Sequence, residues 1–555
     1  MINHLQHISD LVEICRLKGI RHIVVSPGSR NTPIIRAFSE NSWFKLHGIV
    51  DERSAAFYAL GISLATNEPV ALTCTSGTAV LNYAPALAEA FYQHIPLIAI
   101  TADRPEELID QQDNQTIRQV NIFQNYIKGC ISISAPKESI YELDQQNKLI
   151  NNLINKSLGK IKGPIQINVP ISEPLNSEIP KPTNRFEITE TEKVENFLPK
   201  EILDCWLSSS KRMIICGENT VNEELSKLLT KITSDNIAVV LAEPISNIKG
   251  KNIVNQVDLI MMQVEKNDHI DFQPDILISF GGQIVSKRLK QWLQKQKNLN
   301  HLRISEEEDH IDTYQNLNET IIGQPVDILP ILQESASSNH SFSEKWINKL
   351  QNCVDKQTSL LKQIYFSDLQ VFNTIMYSLP QNCILHLGNS SPVRYGQLFD
   401  LSICKAVYSN RGVSGIDGCL STASGYVSES SDLNIVILGD LSFLYDSNGL
   451  WNRSLSSNLR IVVINNGGGG IFSLISNNSD QPFFKEYVET NHPVKIGKLA
   501  EAYGIDYYFC DNQFELETTF RSFIQSENGP SILEIKTPKE YNSEIYHDFI
   551  KNIKQ

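Results

Sequence analysis

Two short stretches in the last third of the chain have the residue types to hold a phosphorylated ligand through a metal. Gly439-Asp440 ends the apolar run Ile435-Val436-Ile437-Leu438, and Asn465-Asn466 with the glycine run Gly467 to Gly470 ends Ile461-Val462-Val463-Ile464. Short β-branched runs of this kind predict buried parallel strands. Open α/β sheets bind ligands beyond the carboxyl ends of such strands. A carboxylate, an amide oxygen and a pliant backbone would meet there. That set suits a hard divalent cation carrying a diphosphate, with Mg²⁺ demanding six oxygens in a tight octahedron. Asp440 would supply charge, Asn466 a neutral oxygen, and the carbonyl near Gly468 a third ligand. Glycines let the backbone approach the phosphates. Alone, Asp440 reads as a turn former or helix cap and Asn465-Asn466 as a turn; the pairing at two strand ends is what carries the argument.

Other polar groups cluster in similar loops. Val50-Asp51-Glu52-Arg53 offers an acid, although by itself it predicts only a helix start, with Asp51 as N-cap and Glu52 in the first turn. Arg30, Arg104, Arg394 and Arg411 lie in Gly/Ser-rich loops. The planar fork of arginine suits bidentate binding of carboxylates, whereas a surface ion pair contributes little. Lys287-Arg288 is a basic pair opening a helix, a pattern that usually just faces solvent.

The elements that must place these residues alternate strand and helix. His22-Ile23-Val24-Val25, Val70 to Cys74 and Pro96 to Ile100 predict strands in a first doubly wound parallel-sheet domain, residues 1–180. Pro170, Pro174, Pro180 and Pro182 punctuate a polar linker. A central α/β domain over 200–333 has candidate strands at Met213 to Cys216, Ala238 to Leu241 and Ile276 to Ser279. A second linker spans Ser335 to Ser341, and a third α/β domain covers 355–555. The net charge of −14 (49 basic, 63 acidic residues) argues against nucleic acid as the main partner. Ten cysteines without a C-x-x-C pair predict reduced, mostly buried thiols. No signal peptide and no apolar run of membrane-spanning length appear, so a soluble cytoplasmic protein is expected.

The Asp440 to Asn466 arrangement resembles the thiamine diphosphate signature, with Leu441 standing where glycine or alanine is usual. More specific motifs follow in order: Ser26-Pro27-Gly28-Ser29-Arg30-Asn31, Asp51-Glu52-Arg53, Thr75-Ser76-Gly77-Thr78-Ala79, Thr101-Ala102-Asp103-Arg104-Pro105, Asn114-Gln115-Thr116-Ile117-Arg118-Gln119, Ser409 to Gly418, and Gly469-Gly470-Ile471-Phe472-Ser473. Together they resemble the 2-succinyl-5-enolpyruvyl-6-hydroxy-3-cyclohexene-1-carboxylate (SEPHCHC) synthases of menaquinone biosynthesis. The likeness covers most of the first and third domains. In the central domain it is confined to Phe280-Gly281-Gly282 and Ser286-Lys287-Arg288-Leu289.

This resemblance implies three doubly wound α/β domains (pyrimidine-binding, central, diphosphate-binding) in a homodimer or homotetramer with active sites between subunits. It implies thiamine diphosphate and Mg²⁺, with Mn²⁺ possible, and a metal held by Asp440, Asn466 and Gly468. Glu52 would meet the aminopyrimidine ring and activate the cofactor. Thr75, Gly439, Leu441, Ile416 and Ile471 would line the cofactor, Ile416 propping its bent form. Gln115 and Ser390 would join Glu52 in catalysis. Ser29, Arg30, Arg104, Asn114, Gln115, Lys287, Arg288, Arg394, Arg411 and Phe472 would hold the substrates, 2-oxoglutarate and isochorismate. Gly470 departs from relatives with glutamine there. Two other readings are an acetolactate-synthase-like decarboxylase or carboligase and a non-catalytic regulatory relative. The arginine loops favour dicarboxylates over pyruvate, and Glu52, Asp440 and Asn466 argue against loss of catalysis.

Overall fold

A computed structural model describes the chain except for residues 1–2, 136–139, 185, 187, 190–195, 268, 335, 453–454, 476–480 and 527. Two compact units are present. One comprises Met1–Lys193, Asn410–Ser431 and Leu444–Leu459; the other comprises Val194–Ser409, Asp432–Phe443 and Arg460–Gln555.

The first unit is built on a six-stranded sheet. Its strands are β1 (His22–Val25), β2 (Lys45–Gly48), β3 (Val70–Cys74), β4 (Leu97–Asp103), β5 (Cys130–Ser132) and β6 (Ile165–Pro170). Their order is β2-β1-β3-β4-β6-β5, and the pairings are parallel. The apolar runs predicted as strands are β1, β3 and β4. The two edge strands and β6 escaped the sequence reading: Lys-Leu-His-Gly and Cys-Ile-Ser carry no apolar run, and Gln166 and Asn168 interrupt that of β6. Helix Glu52–Thr66 packs on the sheet and against helix Cys419–Val427 of the same unit. The crossing depends on two glycines. A Cβ on Gly61 would lie 2.0 Å from the Thr422 carbonyl, and one on Gly425 would lie 2.0 Å from that of Tyr58.

The expected first linker is pinned over its described length. Buried Asp10 accepts from Thr183 N and Thr183 Oγ1 at 2.9 and 2.8 Å, and Ser9 Oγ donates to Pro180 O. Leu175 and Ile179 pack on the sheet core.

The second unit contains two sheets. One holds β7 (Arg212–Cys216), β8 (Val239–Ala242), β9 (Ile276–Phe280), β10 (Asn300–Ser305) and β11 (Leu317–Ile322), ordered β11-β10-β9-β7-β8. The other holds β12 (Ile384–Leu387), β13 (Ala406–Tyr408), β14 (Asn434–Gly439), β15 (Leu459–Asn465), β16 (Asp506–Cys510) and β17 (Ser531–Lys536), ordered β13-β12-β14-β15-β17-β16. Three parallel sheets flanked by helices give the expected three-domain α/β architecture. Burial on both faces explains the unbroken apolar runs of β14 and β15. Of the second linker, position 335 lies outside the described residues. Helix His340–Leu361 begins before residue 355, capped by Asn339, whose side chain accepts from Phe342 N. All ten cysteines are free thiols. Among the described residues no helix is long and apolar enough to cross a membrane.

Candidate active site

The strand ends place the polar loops, as the geometry of open parallel sheets requires. In the second unit, β14 delivers Asp440 to the first position of helix Asp440–Tyr445. Its neighbour β15 delivers Asn466 and the glycine run. Asp440 is 1 % exposed. One of its oxygens accepts from Leu441 N at 2.7 Å; the other accepts from Gly468 N at 2.8 Å and lies 3.1 Å from His492 Nε2. Leu441 thus serves the turn through its backbone, which the side chain at that position does not disturb. Gly468 has φ +146°, and a Cβ there would lie 2.5 Å from Glu489 O, so glycine is required. Its carbonyl accepts from Gly470 N at 2.9 Å, which leaves one lone pair of that oxygen for a ligand.

Asn466 Nδ2 donates to Asp368 Oδ2 at 2.9 Å, while Asn466 Oδ1 is buried without a partner among the described residues. A buried acceptor left unmade is costly. Burial pushes both carboxyls, Asp440 and Asp368, up from their ordinary values, and the Asp440 charge raises that of Asp368 further. The buried Asp440 carboxylate and the Asn466 amide oxygen are hard donors of the kind a divalent cation would satisfy. The residues therefore fit a divalent metal and the diphosphate it would carry.

A cavity of about 440 Å³ opens in the same unit. Lys287, Arg288, Arg394 and Ile471, all singled out from sequence, line it, with Asp258 and Tyr546. Lys287 and Arg288 open helix Lys287–Gln294, beyond the end of β9; Ser286 caps that helix. Arg394 lies on helix Ser391–Gly396, beyond the end of β12, and its Nη1 donates to Ser390 O at 2.6 Å. Ser390 sits at φ +75°, a region that costs a non-glycine residue energy and is often found at functional sites. Phe472, next to Ile471, is 39 % exposed and is not part of the cavity wall.

In the first unit, Asp51 caps helix Glu52–Thr66 by accepting from Arg53 N and Ser54 N. The bland reading of Asp51 holds, and it leaves Glu52 as the half-buried acid of the first turn. Burial raises the Glu52 carboxyl, the Asp51 charge adds to this, and Asn82 opposes it through a hydrogen bond. Beyond β3, Thr75 Oγ1 is buried without a partner among the described residues, close to Gly28, where a Cβ would lie 2.3 Å from Thr75 Cβ. Arg30 donates to Ile171 O at 2.8 Å, and burial together with the Arg104 charge lowers its guanidinium. Arg104 Nε lies 3.9 Å from Asp113. Ser29 and Asn114 are exposed. Gln115 has φ +59° and is locked to the loop after β3, its Nε2 donating to Ser76 O at 2.9 Å while its carbonyl accepts from Ser76 Oγ. Arg411 is buried and Ile416 half-buried in the loop that follows β13.

Comparisons with known proteins identify the family. Three family profiles match in succession: a thiamine pyrophosphate enzyme N-terminal TPP-binding domain over residues 8–122, a middle domain of thiamine pyrophosphate enzymes over 182–387, and a C-terminal TPP-binding domain over 398–535. The SEPHCHC synthase of Flavobacterium johnsoniae is 39 % identical over 551 residues, covering 98 % of both chains. The chain belongs to the SEPHCHC synthase family of thiamine pyrophosphate enzymes. The synthase of Desulfotalea psychrophila is likewise 39 % identical over 96 % of this chain, and that of Bacteroides thetaiotaomicron 33 % identical over its whole length.

Several residues of this family member escaped the sequence reading. Asp368 orients Asn466, and His492 contacts Asp440, yet neither lies within a motif. Glu89, buried in helix Ala84–Tyr92, accepts from Gly412 N and Val413 N at 2.6 and 2.8 Å and so holds the loop that carries Arg411 and Ile416. A glutamate within an otherwise apolar helix, Ala-Pro-Ala-Leu-Ala-Glu-Ala-Phe-Tyr, was the available signal.

Proposed function

We propose that this chain is a SEPHCHC synthase, which decarboxylates 2-oxoglutarate and joins the remaining four-carbon unit to isochorismate. The observation that carries this reading is the single cavity walled by Lys287, Arg288 and Arg394 with Ile471 beside the glycine loop. Three cationic side chains around one space of this size suit polycarboxylate substrates and give pyruvate, with one carboxylate, little reason to prefer it. Bound thiamine diphosphate would supply the electron sink for decarboxylation and carbon–carbon bond formation.

The chain's own residues would do the rest. Asp440, Asn466 and the Gly468 carbonyl would hold Mg²⁺ or Mn²⁺ together with the diphosphate. Glu52 holds a proton at the aminopyrimidine ring; its raised carboxyl suits that task. Thr75, Gly439, Leu441, Ile416 and Ile471 shape the cofactor site. Gln115 and Ser390, both at positive φ, would present polar groups to the reacting carbons. Ser29, Arg30, Arg104, Asn114, Arg411 and Phe472 complete the substrate contacts. Apolar walls keep water from protonating the four-carbon unit before it meets isochorismate. The enzyme acts in menaquinone biosynthesis in the cytoplasm, as a homodimer or homotetramer.

Comparing consumption of 2-oxoglutarate and pyruvate, each with and without isochorismate, tests the reading. Isochorismate-dependent loss of 2-oxoglutarate is expected; preferential use of pyruvate would support an acetolactate-synthase-like activity instead.

A further inference from the structure

We propose that Glu243 and Asp258 are positioning residues for substrate binding, fixing the start of the helix that presents Lys287 and Arg288 to the cavity. The proposal rests on the reading of that cavity as a carboxylate-binding site. Glu243 follows β8 and is 2 % exposed. Its two carboxylate oxygens accept from successive backbone groups, Val285 N at 2.6 Å and Ser286 N at 2.7 Å. In its ionised form Glu243 accepts both as charge-assisted bonds, which are strong and directional. They fix the peptide that leads directly into Lys287.

Asp258 completes the hold from the opposite side. It is the second residue of helix Val257–Asn267 and lines the cavity. Its Oδ1 accepts from Ser286 Oγ at 2.7 Å, and that hydroxyl in turn accepts from Leu289 N at 3.2 Å as the helix cap. Its Oδ2 lies 3.5 Å from Arg288 Nε. One carboxylate therefore steadies both the cap and the guanidinium. Burying a carboxylate is costly, and capping one short helix does not require two of them. Two acids converging on Ser286 from β8 and from helix Val257–Asn267 instead fix the direction in which two cations point. Sub-ångström placement matters at such sites, where a shift of about 1 Å can cost roughly a hundredfold in rate.

The test measures KM and kcat for 2-oxoglutarate and isochorismate in the full-length enzyme with thiamine diphosphate and Mg²⁺. K287A and R288A first identify which substrate the pair serves. E243Q places an amide NH₂ against one of the two backbone N–H groups, and D258N keeps an acceptor for Ser286 while removing the charge beside Arg288. Both should raise KM for that same substrate about tenfold, the range of supporting-residue effects. For both, kcat should stay within about twofold, with unchanged thiamine diphosphate affinity. D258A, which loses both contacts, should raise KM further than D258N. If K287A and R288A raise KM but the Glu243 and Asp258 variants do not, the positioning role is overturned and the binding site stands. If K287A and R288A leave both KM values unchanged, the cavity reading fails, and the proposal with it. A fall in kcat without a change in KM would also overturn it. Should E243Q fail to fold, D258N decides, because the Asp258 side chain is 18 % exposed at the cavity edge.

Discussion

Asn466 Nδ2 donates to Asp368 Oδ2 at 2.9 Å. A carboxylate only accepts, so this bond fixes which end of the amide is which. The other end, Oδ1, is then left as a buried acceptor without a partner among the described residues. Asp368 is itself held by Thr537 Oγ1 at 2.6 Å, so the orientation of the proposed metal ligand traces back to β17 and the residue that follows it.

That chain of contacts predicts a graded loss of metal dependence. N466A and D440A should weaken Mg²⁺-dependent binding of thiamine diphosphate by two orders of magnitude or more. D368N, one step removed, should weaken it about tenfold, as supporting contacts around metal ligands typically do. Quenching of intrinsic fluorescence during cofactor titration at fixed Mg²⁺ gives the affinities. A D368N variant with wild-type affinity would remove Asp368 from the site.

Glu52 should matter for turnover and little for folding. It is half-buried in the first turn of a helix already capped by Asp51. E52Q should therefore keep its melting temperature within about 2 °C, since replacing one first-turn charge alters stability by roughly 0.3–1 kcal/mol. Its kcat should fall about 10³-fold, within the usual span for loss of a proton-handling group. Near-normal activity would refute the assignment.

Glu89 should affect both stability and activity. E89A leaves the N–H groups of Gly412 and Val413 without their acceptor, at about 1–3 kcal/mol for each buried group left unpaired. Because the loop carries Arg411 and Ile416, kcat/KM should drop at least tenfold together with a lower melting temperature. E89Q, which retains one acceptor, should fall between. An E89A enzyme that is destabilised but fully active would separate the loop from catalysis.

Glu243 should leave a pH signature in stability. Burial, and to a lesser degree the Asp258 charge, raise its carboxyl to about 7, against the pull of Val285 N, Ser286 N and Lys290. Between the ordinary glutamate value of about 4.3 and about 7, the folded chain keeps a proton that the unfolded chain has released. The contribution of this group to stability therefore falls as pH rises through that window. E243Q cannot ionise, so its melting temperature relative to wild type should rise from pH 5 to pH 7.5. A difference that does not change with pH would contradict the raised carboxyl.

Part of the framework was legible in the sequence because parallel strands buried on both faces often declare themselves as apolar runs. Each of the candidate strands at His22, Val70, Met213, Ile276, Ile435 and Ile461 is a strand in the fold. Strands such as Lys45–Gly48 were not legible, since edge position and a partner's register, rather than composition, make them strands. The site divided the same way. Asp440, Asn466 and Glu52 belong to compact motifs at strand ends. Asp368, His492, Glu89, Glu243 and Asp258 act through contacts between segments far apart in the chain, and no local spacing encodes those. The cavity that unites Arg394 with Lys287 and Arg288 likewise depends on how two sheets of one unit are arranged.

The most direct test of the central claim is mass detection of the product formed by the purified enzyme from 2-oxoglutarate and isochorismate, with thiamine diphosphate and Mg²⁺ present. The account predicts one adduct whose mass is the sum of the two substrates less carbon dioxide, absent when either substrate is withheld and lost in E52Q. Consumption of 2-oxoglutarate without such an adduct, or an adduct formed from pyruvate in its place, would contradict it.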